Sequence, residues 1–424
     1  MELSATSLWR DRRFRTFWSA QTVSEFGDRV TELALPLIAV TMLDASPSQV
    51  GLLTAAVWLP NLLSLFIGSW VDQRRNKRPL MIAADLARTV LLLSLPIAYW
   101  LGILSLGQLY AIAILAGTAD VVFSAAYVAF FVRLVSREQY LEANSKLSAT
   151  RSLSFMGGPA VGGVLVQWLT APIAMLVDAA SFAFSAVQLS RLKVEAAPAE
   201  KTSEPFLATV RSGMRYVLSH PYLRSSLGCA TTVNFFNLMS SALLVLYASR
   251  ELGLSAGAIG LAFGIGSTGG LLGALAAAPL SRIFGAGRVI AAGAVVFPGA
   301  VAIAVLADGP LWVRATALAA AEFVAAFAVM CFDIPLNSIQ AAVIDDQLRS
   351  RVYGAFSSIN YGIRPLGAVA GGFLGTWIGV RETLLVSAAG GLFAVLWLIR
   401  SPILSTRDLD SLEPQLLSMS GKPA

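Results

Sequence analysis

Residues 24 to 35 read SEFGDRVTELAL, and four of them, Glu25, Asp28, Arg29 and Glu32, are ionisable. They interrupt a run, about 16–42, that is otherwise apolar enough to cross a bilayer as a helix. On that helix they share an arc of about 100° with Gln21, while Phe26, Val30, Leu33 and Leu37 take the other side. A charge at the centre of a spanning helix costs roughly 2.5–3.5 kcal/mol on insertion scales. Three acids and a cation on one face therefore belong in a water-filled cavity rather than in lipid. Arg29 is four residues from Glu25 and three from Glu32, so it neutralises one of them. At least one carboxylate is then left to take up and release a proton. Glu25, Asp28 and Glu32 are proton-coupling candidates, and Gln21 and Arg29 are cavity-lining candidates. The alternative is a closed charge cluster that only fixes this helix against its neighbours, a reading with most weight at Asp28.

Other apolar runs add polar positions at helical spacing. Asp120, Ser124 and Tyr127 recur at i, i+4 and i+7; Asp120 is a fourth proton-coupling candidate and Tyr127 a substrate-cavity candidate. Asn234 and Asn237 share a face with Ser241, and Asn360 and Arg364 share one with Tyr353 and Ser357, with Tyr361 beside them. Arg364 is the embedded cation of the second half, placed to pair with an acid or to bind an anionic group. Asp178 reads as a packing residue, and Glu322 and Asp333 as secondary candidates. The embedded charge leans negative, which favours a cationic or neutral amphiphile as the bound molecule. No cluster of His, Cys and carboxylates has metal spacing, and no nucleophile motif or P-loop is present. An enzyme, a resident metal and a cofactor are therefore not expected; a proton gradient would supply the energy. His220 stands at a span boundary and reads as structural, and Cys229 and Cys331 fall inside spans, which does not indicate a disulfide framework.

These residues are carried by a chain that is 56% hydrophobic and 13% charged, where a soluble domain has about 25% charged residues. Twelve apolar runs are long enough to span, at about 16–42, 48–71, 79–101, 106–132, 145–168, 170–190, 223–249, 256–280, 286–307, 309–334, 351–378 and 382–400. Their residues do not alternate as barrel strands do. The expected fold is an all-α membrane protein of twelve transmembrane helices in two pseudo-symmetric six-helix bundles. Residues 1–190 form the first bundle, 191–222 a linker with an amphipathic helix, 223–400 the second bundle and 401–424 a tail. In the linker helix Phe206, Val210, Met214, Val217 and Leu218 recur at helical spacing. A weak repeat, GPAVGGVLVQWLTAPIAM against GAVAGGFLGTWIGVRETL, supports the division. Lys and Arg crowd before span 1, after spans 2 and 4 and between spans 6 and 7, and the loops after spans 1, 3 and 5 have none. Both termini are expected in the cytoplasm. These loops account for the net charge of +6 without nucleic-acid binding. The N-terminus reads as a cytoplasmic lead-in, not a signal peptide.

Two motifs remain. GSWVDQRRNKR sets Gly68 four residues before Asp72 and follows it with Arg74 and Arg75. Gly68 is expected to let two helices approach closely, Asp72 to meet a helix N-terminus or an Arg, and the basic residues to sit at anionic headgroups. GGPAVGG holds Gly158, Pro159, Gly162 and Gly163, read as a bent helix with one small-residue strip. Together they resemble the major facilitator superfamily over nearly the full chain: the first its loop 2–3 gating signature, departing at Gln73, the second the GPxxGG motif of its antiporters. The stretches FRTFWSAQTVSEFGDRVTELALPL, LEANSKLSATRSLS and MLVDAASF resemble its enterobactin-exporter and macrolide-efflux branch. The resemblance implies alternating access and proton-coupled export from a bacterial inner membrane by a protein that usually works as a monomer. Two departures accompany it: the loop APLSRIFGAGR has no Asp, and span 4 has Asp120 where many relatives carry an Arg. An importer on the same fold and a non-transporting sensor or scaffold are the alternatives.

Overall fold

The computed structural model describes residues 8–192, 206–345 and 348–407, and every regular element among them is helical. The first six spans are α1 (Arg12–Leu37), the pair α2 (Pro47–Trp58) and α3 (Ser64–Asp72), α4 (Arg78–Trp100), α5 (Leu106–Leu134), α6 (Tyr140–Leu169) and α7 (Ala171–Arg191). After α8 (Phe206–Ser219) come α9 (Pro221–Arg250), α10 (Ala256–Phe284), α11 (Ala286–Gly299) with α12 (Val301–Val305), α13 (Leu311–Val343), α14 (Arg349–Trp377) and α15 (Val380–Gly391). The last continues through a 3-10 turn into α16 (Leu396–Ile399), and α17 (Pro402–Ser405) follows. Local chemistry sets several starts. Asp11 caps α1 by accepting from the Arg13 amide at 2.7 Å, and Ser105 and Ser401 cap α5 and α17 in the same way.

Among the described residues eight helices are long and apolar enough to cross a membrane, nine if the bent α2–α3 pair is one span. The remaining long helices, α1, α6 and α14, are the polar ones, which completes a twelve-helix count. Three spans are not the single rods that hydropathy suggests. The second bends by 47° where Pro60 lies in the 3-10 turn Leu59–Leu63, because proline withdraws a backbone donor. The ninth breaks at Ala300, just after Pro298, and the twelfth passes through its 3-10 turn.

The repeat is visible in the backbone. Residues with positive φ sit at the junctions α1–α2 (Asp44, 47°), α4–α5 (Gly102, 68°) and α6–α7 (Thr170, 75°). In the second half they recur at α9–α10 (Gly253, 69°), α12–α13 (Gly309, 122°) and α14–α15 (Gly379, 102°). The repeat aligns Thr170 with Gly379, so the two halves turn the same corner with different residues.

Two compact units result. The first comprises Met1–Asp44, Ala56–Lys201 and Ser255–Gly260, the second Ala45–Ala55, Thr202–Leu254 and Leu261–Ala424. The start of α2 thus falls in the second unit and the start of α10 in the first. Phe14, Phe17, Met81, Phe123 and Phe130 form the core of the first unit. That of the second is built from Leu223, Val233, Phe332, Leu336 and Phe356. In α8, Val217 is buried, Met214 packs on the second core and Leu218 is exposed; the side chains of Phe206 and Val210 lie outside the described set. Just past residue 400, Ile403 is fully buried and the Thr406 carbonyl accepts from the Gly287 amide at 3.0 Å.

Candidate functional site

The charges of α1 are held by α6. Arg29 Nη1 donates to both oxygens of Glu32, at 2.7 and 2.6 Å, and Nη2 lies 3.9 Å from Glu25. The guanidinium is 3.9 Å from the centroid of the Phe155 ring on α6. Glu25 has its own cation, Arg151 of α6, at 3.2 Å, and its carbonyl accepts from Ser154 at 2.7 Å. Glu32 is the open end of the cluster, with its side chain 60% exposed against 12% for Arg29.

The glycines of GGPAVGG make this approach feasible, but they do not form one strip. A Cβ at Gly158 would strike the Cβ and Cγ of Arg29, and one at Gly162 would lie 3.2 Å from the Val30 Cα. Gly163 faces elsewhere, with the Ala256 carbonyl and Gly260 Cα at 2.8 Å from a Cβ built there. The second unit has an equivalent crossing. A Cβ on Gly51 would lie 2.6 Å from the Ala368 carbonyl and from Gly372 Cα. Thr376 Oγ1 accepts from the Ser48 amide at 2.9 Å beside it. Both crossings bring backbone onto backbone, as small residues permit in membrane helices.

Asp28 points to α7. It makes no ion pair or hydrogen bond among the described residues, and the charges acting on it are Asp178, Arg88, Asp120 and Glu32. Asp178 is fully buried against α1: one oxygen accepts from Thr31, the other sits where a Gly27 Cβ would be and accepts from Ser181 at 2.9 Å. Arg88 of α4 is buried and donates to Asp120 at 2.6 Å, with Phe182 and Phe123 at 4.7 and 5.3 Å from its guanidinium. Asp85, 1% exposed, lies one turn away. Asp120 is therefore ion-paired within the first unit. Tyr127 places its ring in the core, stacked at 6.1 Å on Phe131 and 5.5 Å from Phe17. Gln21 is buried, and its Nε2 has no hydrogen bond among the described residues.

The second unit is sparser. Asn234 bonds back to the Ala230 carbonyl at 2.9 Å, and Asn237 lies on the same helix, α9, one turn further. On α14, Arg364 has the Tyr361 ring at 5.1 Å and lies in the field of Asp333 on α13. Asn360 Oδ1 has no hydrogen bond among the described residues. Glu322 packs its Cβ against Gly266 of α10. The loop motif departs most from expectation. A Cβ at Gly68 would meet nothing within 4 Å, so no close helix approach is made there. Asp72 lies 3.9 Å from Lys77, not at an Arg or a helix N-terminus. Lys77 donates to the Val71 carbonyl at 2.6 Å and Arg78 Nε to Leu189 at 2.9 Å, so these two cations are turned inward, off the headgroups. Arg74 sits 4.9 Å from the Trp70 ring, and Arg75 is exposed.

Beside the acids expected on α1, the structure adds Asp85, Arg88, Arg151 and Phe155 to the site. The signal for the first two was present: DLAR sets an acid and a base three residues apart inside an apolar run.

Twelve helices in two repeated units, most of them long and apolar enough to cross a membrane, describe a multi-pass membrane transporter of the major facilitator type. The model of the transmembrane secretion effector family matches residues 3–420, and the chain belongs to that family. It is 25% identical over 392 residues to the uncharacterized MFS-type transporter YfiS of Bacillus subtilis, covering 89% of this chain and 91% of that one. It is 27% identical over 416 residues to the multidrug efflux pump Tap of Mycobacterium tuberculosis (strain ATCC 25618 / H37Rv), covering 92% and 93%. Among solved structures, a bacterial homologue of the iron transporter ferroportin in an inward-facing state superposes with a TM-score of 0.72 at 16% identity, over 92% of this chain and 98% of that one. A nucleoside transporter, NupG, gives 0.72 at 12%, over 92% and 99%. These likenesses bear on the fold.

Proposed function

We propose that the protein is a proton-driven exporter of drug-like or siderophore-like amphiphiles, working by alternating access in a bacterial inner membrane with both termini in the cytoplasm. The observation that carries the reading is the division of labour on α1. Arg29 holds Glu32, Arg151 holds Glu25 and Arg88 holds Asp120, which leaves Asp28 beside Asp178 with no cation in contact among the described residues. A carboxylate in that position is the one best placed to carry the proton. Similarity to the Tap efflux pumps supports export, and the surplus of acids in the first unit favours a cationic or neutral substrate over a dianion. The enterobactin and macrolide resemblance keeps siderophores and macrolides in the substrate panel. One proton moving through 100 mV supplies about 2.3 kcal/mol, enough for a gradient of about fiftyfold in a neutral substrate; a monocation exchanged for one proton moves no net charge and is driven by the pH difference. The working partners are the substrate, protons and the bilayer, with the chain acting as a monomer and without a cofactor.

Proteoliposomes holding a pH-sensitive dye test this. On addition of one substrate class, wild-type protein under a pH gradient should move protons, and Asp28→Asn should not. Transport that survives neutralisation of each embedded acid would remove the mechanism. Uptake towards the cytoplasmic side in inverted vesicles would favour the importer, and silence in every arm the scaffold.

A further inference from the structure

We infer that Arg29 is an internal stand-in for the substrate's positive charge, and that an organic cation binds by displacing it from Glu32 and Phe155. An organic cation in a partly dry site is best held by a carboxylate on one side and an aromatic face on the other. That pair exists in the first unit and is already filled. The Arg29 guanidinium is 3.9 Å from the Phe155 ring centroid and donates to both oxygens of Glu32. The acid and the ring are also the exposed members of the cluster. Glu32 has 60% of its side chain exposed and Phe155 is 51% exposed, whereas Arg29 is nearly covered. An arriving cation thus meets the acid and the ring before it meets the arginine.

The displaced guanidinium has a place to go. Glu25 is 3.9 Å from Nη2, on the preceding turn of α1, and is shared with an Arg151 whose own side chain is 62% exposed. The stem of Arg29 is seated against Gly158, so the head can swing from Glu32 to Glu25 while the stem stays in place. The exchange is of charge for charge. The substrate's cation replaces Arg29 on Glu32, so no acid of the cluster is left unpaired and the net charge of the occupied pocket rises by one. A neutral amphiphile gains nothing from the exchange. Organic monocations are therefore the preferred substrates. This deepens the export reading and rests on it for the role of the site, but the binding step can be tested without transport.

The probe is tetraphenylphosphonium, titrated by calorimetry into purified full-length protein in detergent. Arg29→Ala should bind it on the order of tenfold tighter than wild type, because the competing cation and its ring contact are gone. Phe155→Leu and Glu32→Gln should each bind more weakly than wild type. The double variant Arg29→Ala/Glu32→Gln should lose the gain. Arg29→Lys, which keeps the charge, should stay near the wild-type affinity and guards against misfolding of the alanine variant. Unchanged or weaker binding by a folded Arg29→Ala protein would overturn the inference, as would a gain that persists in the double variant. Tighter binding by Arg29→Ala together with absent proton-coupled efflux by the wild type would sink the export reading and leave the displacement standing.

Discussion

Arg88 is the cation shared by four aspartates of the first unit. It is buried, its guanidinium lies between two aromatic rings, and Asp85, Asp120, Asp178 and Asp28 all lie within its field. Its ion pair with Asp120 is asymmetric, because the Asp120 side chain is 57% exposed and Arg88 only 6%. Removing Arg88 strands buried carboxylates without a counter-charge, at a cost of about 3 kcal/mol. Removing the charge of Asp120 takes away only an exposed carboxylate and leaves Arg88 in the field of Asp28, Asp85 and Asp178. Arg88→Met should therefore lower the thermal unfolding midpoint in detergent far more than Asp120→Asn. Equal effects would mean that the pair, rather than the cation, matters. His220 offers a separate test at the α8–α9 junction. It is buried between Tyr216 and Tyr222, and neither ring nitrogen finds a hydrogen bond among the described residues. Burial holds the imidazole below its ordinary range. The unfolded chain then binds more protons than the folded one, so this residue's contribution is complete above about pH 6.5 and is lost as pH falls. His220→Phe should narrow the drop in unfolding midpoint between about pH 8 and about pH 5. An unchanged drop would place the acid sensitivity elsewhere.

At the scale of the helix, the glycines separate cleanly by what they touch. Gly163 and Gly260 meet backbone to backbone, and a Cβ on Gly163 would lie 2.8 Å from both the Ala256 carbonyl and Gly260 Cα. Neither contact is with a flexible side chain, so Gly163→Ala must spread the crossing and should cost about 1–3 kcal/mol. Gly68 faces open space. Gly68→Ala in the interior of α3 should leave the unfolding midpoint unchanged or raise it, with alanine worth up to about 1 kcal/mol in helix propensity. Measuring both variants in the same detergent decides whether packing or sequence motif governs these positions. The same contrast shows what was legible beforehand. Twelve spans could be read because each is an apolar run of spanning length, and the polar face of α1 because periodicity fixes the face of a single helix. What periodicity does not fix is the partner across the gap. That Arg151 rather than Arg29 is nearest to Glu25, and that Asp178 presses on Gly27, depend on how α6 and α7 are rotated against α1. The breaks in the second and ninth spans escaped for a related reason: one proline, Pro60 or Pro298, hardly lowers the mean hydropathy of a run of spanning length.

At the scale of the whole chain, topology rests on loop charge. With an even number of spans both termini share a side, and the side is set by where Lys and Arg accumulate. Lys77 and Arg78 show that this charge need not remain at the headgroups in the folded state, since both bond to helix-end carbonyls. The topological signal acts during insertion, before those bonds exist, so it is counted from the sequence and not from the folded contacts. Counted that way, the proposed topology puts the loop at 73–77 and Arg407 on the cytoplasmic side. The same proposal puts the corners at Gly102 and Gly253, which the repeat marks with positive φ, on the other. Alkaline phosphatase fused after Arg75 or Arg407 should therefore be inactive, and fused after Gly102 or Gly253 active. The reverse pattern at all four sites would invert the protein in the membrane and turn the proposed exporter into an importer. Activity after Arg407 alone would mean an odd number of spans, and the count of twelve would fail.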